Sequence, residues 1–379
     1  MPPKTVLYLT PSVRLLGARQ SLLALVRSLD PQRYRAVVCC QSKGGLTEEL
    51  ERSGIPVVIL HTGWWRKTKY WLKRPFVLWR LRNLIRREGA ALIHCNEIYP
   101  NPFAVTVGRW TSTPVITHMR LSVTPSMTSK YLLHRAERIV VVSEAAGHDF
   151  DHWPDKSSKV EVIYNGVDPQ KYQLPETKEQ LRREMNCPRD AFIIGQVATW
   201  AHRKRQHIAV EALALLAEKY PQLRLVLVGG AARTQQDYEA ELRSLIAARQ
   251  LHERVMLLPF TNQIASIYNA IDVNLLISGD EGFGRTIIEA GSVGVPTIGA
   301  QAGGIPEIIR NGETGWLVPV DEPQALADVI TDLVEQPEKV KTAGEAARQM
   351  VNSRFTIEKH TQHVMDLYDR VLKKQAGGK

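Results

Sequence analysis

Two glutamates, Glu281 and Glu289, stand with seven residues between them in EGFGRTIIEAGSVGVP (281–296), a stretch otherwise built mainly from glycine and apolar residues. Neither is needed to form a helix, and a carboxylate beside buried segments requires a partner. The preceding run DVNLLIS (272–278) reads as a buried strand, and the loop GDEGFG leads into a helix from about Phe283. Ligands of doubly wound sheets collect outside the carboxyl ends of the strands. Gly282 and Gly284 let the backbone approach such a ligand, and a helix start offers N–H groups to an anion. Glu281 then sits at the strand's mouth, with Glu289 about a turn and a half inside, roughly 8 Å further along the axis. A diphosphate linking two sugars has about that separation. The next unit repeats the pattern: PTIGA (296–300) leads into QAGGIPEII (301–309), where Gly303 and Gly304 precede a second expected helix start. Two helix N-termini converging on one cleft hold a diphosphate without a metal.

The elements that must position these residues alternate along the whole chain. Apolar strand-like runs occur at 5–10, 34–40, 56–60, 91–95, 114–119 and 138–143, then at 192–198, 223–230, 255–260, 272–278 and 296–300. Nearly continuous apolar strands separated by helix-length segments imply parallel sheets covered on both faces. The polar, proline-bearing stretch 165–190 interrupts the series once and is read as an interdomain connection. The expected architecture is two doubly wound α/β domains, 1–170 and 171–355, in a chain too long at 379 residues for one ordinary core. The last segment (about 356–379) carries a stripe of Ile357, Val364, Leu367, Tyr368 and Leu372. Whether it caps its own domain or crosses back to the first is open at this level.

Composition narrows the class. No run approaches the roughly 18–20 apolar residues of a spanning helix, and the start is too short and too early broken by Pro11 for a signal peptide, so a cytoplasmic protein is expected. Cys39, Cys40, Cys95 and Cys187 form no C-x-x-C pair and read as buried thiols. The net charge of +10 points to an anionic partner without choosing among nucleic acid, phosphorylated substrate and acidic lipid. Asp149-Phe150-Asp151 reads D-x-D, a metal–diphosphate signature of a different fold, but it falls in a helical stretch away from a strand mouth and is read as solvated surface.

The stretch 278–318 resembles the E-x7-E signature region of glycosyltransferase family 4, retaining enzymes of the GT-B fold that use nucleotide-sugar donors. VVSE (141–144), VIYNGVD (162–168), KRQHIAVEAL (204–213) and LRLVLVGG (223–230) are similar to further family landmarks, in the family's order. The resemblance implies two Rossmann-like domains facing a central cleft. It gives Glu281 the transferred sugar and Glu289 the ribose, and puts the donor phosphates against Gly282, Phe283, Gly284, Arg285 and Thr286. Gly303 and Gly304 would lie against the sugar. Lys204 aligns with a lysine that neutralises the leaving diphosphate, while Thr199 stands where the family has an arginine, leaving Arg203 or Arg205 to compensate. Some fixed cation is required if no metal meets the departing charge. In the first domain Gly17, preceded by Leu16 where the family has a second glycine, opens a helix that offers N–H groups to phosphate or acceptor. His118 matches a histidine whose backbone or ring lies near the reacting sugar, and His94 stands similarly at another strand end. No metal or other cofactor is expected. Glu281→Ala is expected to abolish transfer and spare nucleotide affinity, and Glu289→Ala to weaken nucleotide binding.

Residues 64–88 have the most unusual composition in the chain. Val77, Leu78, Leu81, Leu84 and Ile85 form a core stripe at helical spacing. Trp64, Trp65, Trp71 and Trp79 lie among Arg66, Lys67, Lys69, Lys73 and Arg80. Tryptophans mixed with cations suit the headgroup region of an anionic membrane, and the alternatives are a solvated basic helix or, without a recognised module to support it, nucleic-acid binding. The combined expectation is a hexosyltransferase using a UDP- or GDP-linked sugar. It would act at the inner face of the plasma membrane on a glycan or lipid-linked acceptor, as in lipopolysaccharide or exopolysaccharide assembly. The competing readings are an epimerase-type or phosphorylase enzyme of the same fold, a transferase with a soluble acceptor, and a non-catalytic binder.

Overall fold

The computed structural model describes residues 2–63, 65–231 and 235–377. The chain forms two compact units, Met1–Gly166 together with Ile357–Lys379, and Val167–Thr356. The first unit holds seven strands: β1 (Lys4–Thr10), β2 (Tyr34–Cys40), β3 (Val57–Ile59), β4 (Ala90–Cys95), β5 (Val115–Met119), β6 (Arg138–Val141) and β7 (Val160–Val162). Their order is β3-β2-β1-β4-β5-β6-β7, and every neighbouring pair is parallel. The second unit holds β8 (Phe192–Val197), β9 (Leu223–Gly229), β10 (Val255–Pro259), β11 (Val273–Leu276), β12 (Thr297–Ala300) and β13 (Gly315–Val318), in parallel order β10-β9-β8-β11-β12-β13.

In both sheets the order of the strands reverses once, between β1 and β4 in the first and between β8 and β11 in the second. Ligands of doubly wound sheets bind at the carboxyl ends of the strands flanking that reversal. The strands are apolar on both faces because both are covered. In β1, Leu7 and Leu9 pack with the helices Arg74–Glu88 and Asn101–Thr111, and Val6 and Tyr8 pack on the opposite side with Gly17–Arg27 and Ile357–Gly377. All four cysteines are free and buried.

Three features add to the expectation. The edge strands β7 and β13 have no counterpart among the anticipated runs. The stretch 165–190, read as the interdomain connection, belongs almost wholly to the second unit, which begins at Val167. Its helix Lys178–Glu184 is closed by a Thr177–Gln180 capping box, and Arg182 donates to the carbonyls of Ala270 (2.8 Å) and Ala191 (3.0 Å). The final helix, whose docking the sequence left open, belongs to the first unit. Val364, Leu367 and Tyr368 are buried against it, the Tyr8 and Tyr368 hydroxyls lie 3.0 Å apart, and Arg33 pairs with Asp369 at 2.7 Å.

Candidate active site

The loop after β11 and the helix Arg285–Ser292 are shaped by glycines at two points where nothing else fits. Gly284 has φ +101°, and a Cβ there would lie 2.8 Å from Ile287 Cδ1 and 2.9 Å from Leu276 Cδ2. Gly303 has φ +54°, and a Cβ would collide with the Glu281 carbonyl oxygen, which accepts the Gly304 N–H at 2.9 Å. The glycine pair therefore buttresses the Glu281 backbone, a packing role that its spacing did not show. The pair does not open a second helix: Ile305–Glu307 is one 3₁₀ turn, too short to carry a useful dipole, so the expected convergence of two helix N-termini is corrected. The helix after Gly284 begins at Arg285 rather than Phe283, so Glu289 lies about one turn inside it, roughly 6 Å along the axis. Phe283 is buried edge-on to Phe355 at 5.8 Å and serves packing, and Gly282 is buried with it.

Glu281 and Lys204 meet across the strand reversal of the second unit, one from the loop after β11 and the other from the loop after β8. Their side chains form a direct ion pair, with only 12% of the lysine and 20% of the glutamate exposed. The two groups expected to contact sugar and leaving diphosphate thus contact each other. Of the two arginines that could compensate for Thr199, Arg205 is engaged: its guanidinium holds both carboxylate oxygens of Asp321, and the contact through Nη2 measures 2.9 Å. Arg203 is exposed, and its side chain has no hydrogen bond or ion pair among the described residues. Ser278 Oγ and Thr286 Oγ1 are buried without a hydrogen-bond partner among the described residues. Ser278 was absent from the expected site residues. Phe260, from the PFTNQ segment, is exposed just past the carboxyl end of β10.

Glu289, to which the resemblance gives the ribose, is the centre of a buried network. Its Oε1 accepts from Arg285 Nε (3.1 Å) and Nη2 (2.8 Å), and its Oε2 accepts the Tyr268 hydroxyl at 3.0 Å. The side chains of Arg285 and Glu289 are 17% and 8% exposed. Burial first, and then the adjacent carboxylate, hold the Tyr268 hydroxyl protonated well above the usual phenol range. The Tyr172 hydroxyl also bonds to this carboxylate, and burial first, then Glu289, raises it well above the usual phenol range. The i, i+4 spacing of Arg285 and Glu289 was legible in the sequence; the arrival of Tyr268 was not.

The His118 ring lies in the interior of the first unit. It is fully buried between His94 (5.6 Å) and His360 (6.0 Å), with Tyr8 stacked on His94 at 5.1 Å. Burial, with Arg120 and the other imidazoles adding to it, pushes His94 down to about 3 and His118 well below the ordinary imidazole range. These are neutral interior groups under the final helix, and in this conformation the His118 ring has no open face for a substrate. Its Nδ1 instead lies 3.5 Å from Arg120, whose guanidinium donates to Asn96 (3.0 and 3.1 Å) and Asn165 (2.7 Å) at the end of β5. Across the first unit's own strand reversal, Arg19 pairs with Glu97 at 2.9 Å. Gly17 begins an eleven-residue helix, and no heavy atom lies within 4 Å of where its Cβ would be.

The basic aromatic segment divides into packed and open parts. The five-residue stripe from Val77 to Ile85 is buried as its spacing requires. Trp65, expected at a membrane, packs edge-on to Phe103 at 5.0 Å with the Arg74 guanidinium 4.7 Å from its ring, which corrects that assignment. Trp64 and the side chain of Lys69 lie outside the described residues. Trp71 (56% exposed), Leu72 (97%) and Trp79 (54%) are open, as are Arg66, Lys67, Lys73 and Arg80. The D-x-D run is not plain surface either: Asp149 accepts the Val123 N–H at 2.7 Å, Phe150 is fully buried, and Asp151 pairs with His148 and Lys156.

Residues 16–171 match the family described as Glycosyltransferase Family 4, and residues 177–350 the family described as Glycosyl transferases group 1. The chain is 26% identical over 257 residues to N-acetyl-alpha-D-glucosaminyl L-malate synthase of Bacillus anthracis, covering 67% of this chain and 66% of that protein. It is 23% identical over 247 residues to the lipopolysaccharide core biosynthesis mannosyltransferase LpsB of Rhizobium meliloti, covering 65% of this chain and 69% of that protein. The chain therefore spans about two thirds of the length of these curated relatives. The structure of Anabaena HepE in complex with UDP-glucose superposes with a TM-score of 0.85 at 25% identity, covering 97% of this chain and 99% of that one. The fold is GT-B. With both halves matched in order, the chain belongs to the group 1 glycosyltransferases of the family 4 type.

Proposed function

We propose that this protein transfers a hexosyl unit, with retention at the anomeric carbon and without a metal, from a UDP- or GDP-linked sugar to a membrane-associated glycan or glycolipid. The observation that carries this reading is the meeting of Lys204 and Glu281 at the strand reversal of the second unit. There a cation and a sugar-binding carboxylate stand side by side at the start of the helix that contains Glu289. On this reading Lys204, aided by Arg203 rather than the Asp321-bound Arg205, meets the charge on the departing diphosphate. The diphosphate then takes the acceptor's proton on the face it leaves, so neither glutamate acts as a nucleophile, unlike the paired acids of glycoside hydrolases. His118 contributes from the interior by seating Arg120. Likeness to the UDP-glucose complex of HepE supports a UDP-linked donor as the first to test.

Donor-dependent release of nucleotide diphosphate, measured for UDP- and GDP-hexoses with and without Mg²⁺ and a chelator, tests the reaction. Turnover that survives the chelator is expected; release that requires Mg²⁺ rejects the metal-independent mechanism. Configuration at the new bond, read by NMR, tests retention. A soluble, small acceptor is the second reading, supported by the similarity to the L-malate synthase.

Docking on the cytoplasmic face of a membrane is supported by the open aromatics Trp71, Phe76 and Trp79 with Leu72, beside Arg80, whose guanidinium lies 5.8 Å from the Phe76 ring centroid. Among the described residues no helix is long and apolar enough to cross a membrane. The similarity to LpsB fits a lipid-linked glycan. Sedimentation with anionic vesicles is expected to pull the protein down in low salt and to release it in high salt. Replacing Trp71 and Trp79 together by alanine is expected to weaken that partitioning at least about tenfold. Equal recovery in the supernatant with and without vesicles rejects the docking surface.

A further inference from the structure

The cation assigned to the leaving group ends the 3₁₀ turn His202–Lys204, its backbone N–H donating to the Ala201 carbonyl at 2.8 Å. That turn lies within a connecting loop, and loops place charges poorly unless something fixes them. The loop 198–205 joins β8 to the helix Gln206–Leu216 and is held crosswise by two buried glutamines. Gln196, on β8, donates its Nε2 to the Lys204 carbonyl at 2.6 Å. Gln206, at the start of the helix, donates its Nε2 to the Thr199 carbonyl at 3.2 Å. Each therefore ties down the end of the loop further along the chain from itself. The opposite amide orientation would set oxygen against oxygen in both cases, so the carbonyl partners decide it. Both Oε1 atoms are buried and accept nothing among the described residues. An unmet buried acceptor costs about 1–3 kcal/mol, and an apolar residue of the same length would avoid that cost, so retaining the amide calls for a use of its donating half. Between the two clamps, the Trp200 N–H donates to the Gly230 carbonyl (2.8 Å) and the His202 N–H to Gln235 Oε1 (3.0 Å).

We propose that Gln196 is a positioning residue for Lys204: by fixing the lysine's carbonyl it sets the direction from which the ammonium reaches Glu281 and the departing diphosphate. This rests on the function proposed above. A displacement of about 1 Å at a reacting charge can cost about 100-fold in rate. Losing the clamp should therefore lower kcat more than it raises the donor KM, because the lysine matters most when the leaving charge has formed.

The test is a double-mutant cycle on the full chain, with Gln196→Met, Lys204→Ala and the two combined. Steady-state donor turnover and UDP binding by calorimetry are measured for each. Gln196→Met alone is expected to lower kcat about 10- to 100-fold, with less than about a threefold change in KM. In the Lys204→Ala background it should change neither turnover nor UDP affinity. Gln206→Met, which loses an equally buried clamp on Thr199, is the control for a general loss of loop order and should move kcat less than about threefold. Equal losses from Gln196→Met in both backgrounds, or equal losses from the two glutamine variants, overturn the proposal. So does an impaired Lys204→Ala beside an unaffected Gln196→Met, which leaves the function reading intact. If Lys204→Ala turns over and binds UDP like the wild type, the lysine's own role fails and this inference falls with it.

Discussion

Glu281→Gln is expected to bind UDP about three- to tenfold more tightly than the wild type while losing at least about 100-fold in sugar transfer. The two effects run in opposite directions because one residue is given two partners. In the ligand-free chain its carboxylate is paired with Lys204, mostly shielded from solvent. A diphosphate must compete with that carboxylate for the ammonium, and an amide of the same size competes far less well. Pairs of this partial exposure contribute on the order of 1 kcal/mol, which sets the gain in affinity. The loss in transfer follows from the same substitution, since a neutral amide is a weaker acceptor for the sugar's hydroxyls as charge develops. This revises the sequence-based expectation for Glu281→Ala, in which nucleotide affinity was spared. Calorimetric titration with UDP beside steady-state turnover measures both. UDP affinity that falls on substitution would mean the pair builds the site instead of occupying it.

Glu289→Ala is expected to lower the stability of the second unit by about 3 kcal/mol, a fall of roughly 6–12 °C in its melting temperature. The truncation leaves the Arg285 guanidinium buried without its carboxylate and removes the acceptor of the buried Tyr268 hydroxyl. A buried charge stripped of its partner costs more than the intact pair contributes. Glu289→Gln keeps an acceptor for the tyrosine and is expected to lose less, about half as much. Thermal unfolding of the three proteins without nucleotide, then with saturating UDP, separates this from ligand binding. If Glu289→Ala melts with the wild type when no nucleotide is present, the network is not structural, and the residue's role is confined to the ribose as the sequence alone implied.

These two cases show how unevenly the chain could be read in advance. The central strands announced themselves because a strand covered on both faces must be apolar along its length, as Val6 to Leu9 in β1 are. β7 and β13 were missed because edge strands need no such run: Val160–Val162 is half-buried, and Gly315–Val318 follows a glycine turn. The glycines at 284 and 303 were flagged for ligand approach, and the structure adds backbone geometry and close packing as a reason for them. Tryptophans at 65 and 71 look alike in a list of residues. One is packed on Phe103 and the other is open, and only the path of the chain separates them.

By itself the sequence determined the fold class, the twofold division and the family, because hydrophobic periodicity and motif order are local properties that survive without coordinates. It also placed Lys204 and Glu281 in the connections that follow their strands. Only the tertiary structure decided that these two face each other, that Tyr268 reaches Glu289, and that His118 lies sealed beneath a helix more than two hundred residues away in the chain. Each of those outcomes depends on which distant side chain arrives to neutralise or bury a polar group. Residue spacing carries no record of that arrival.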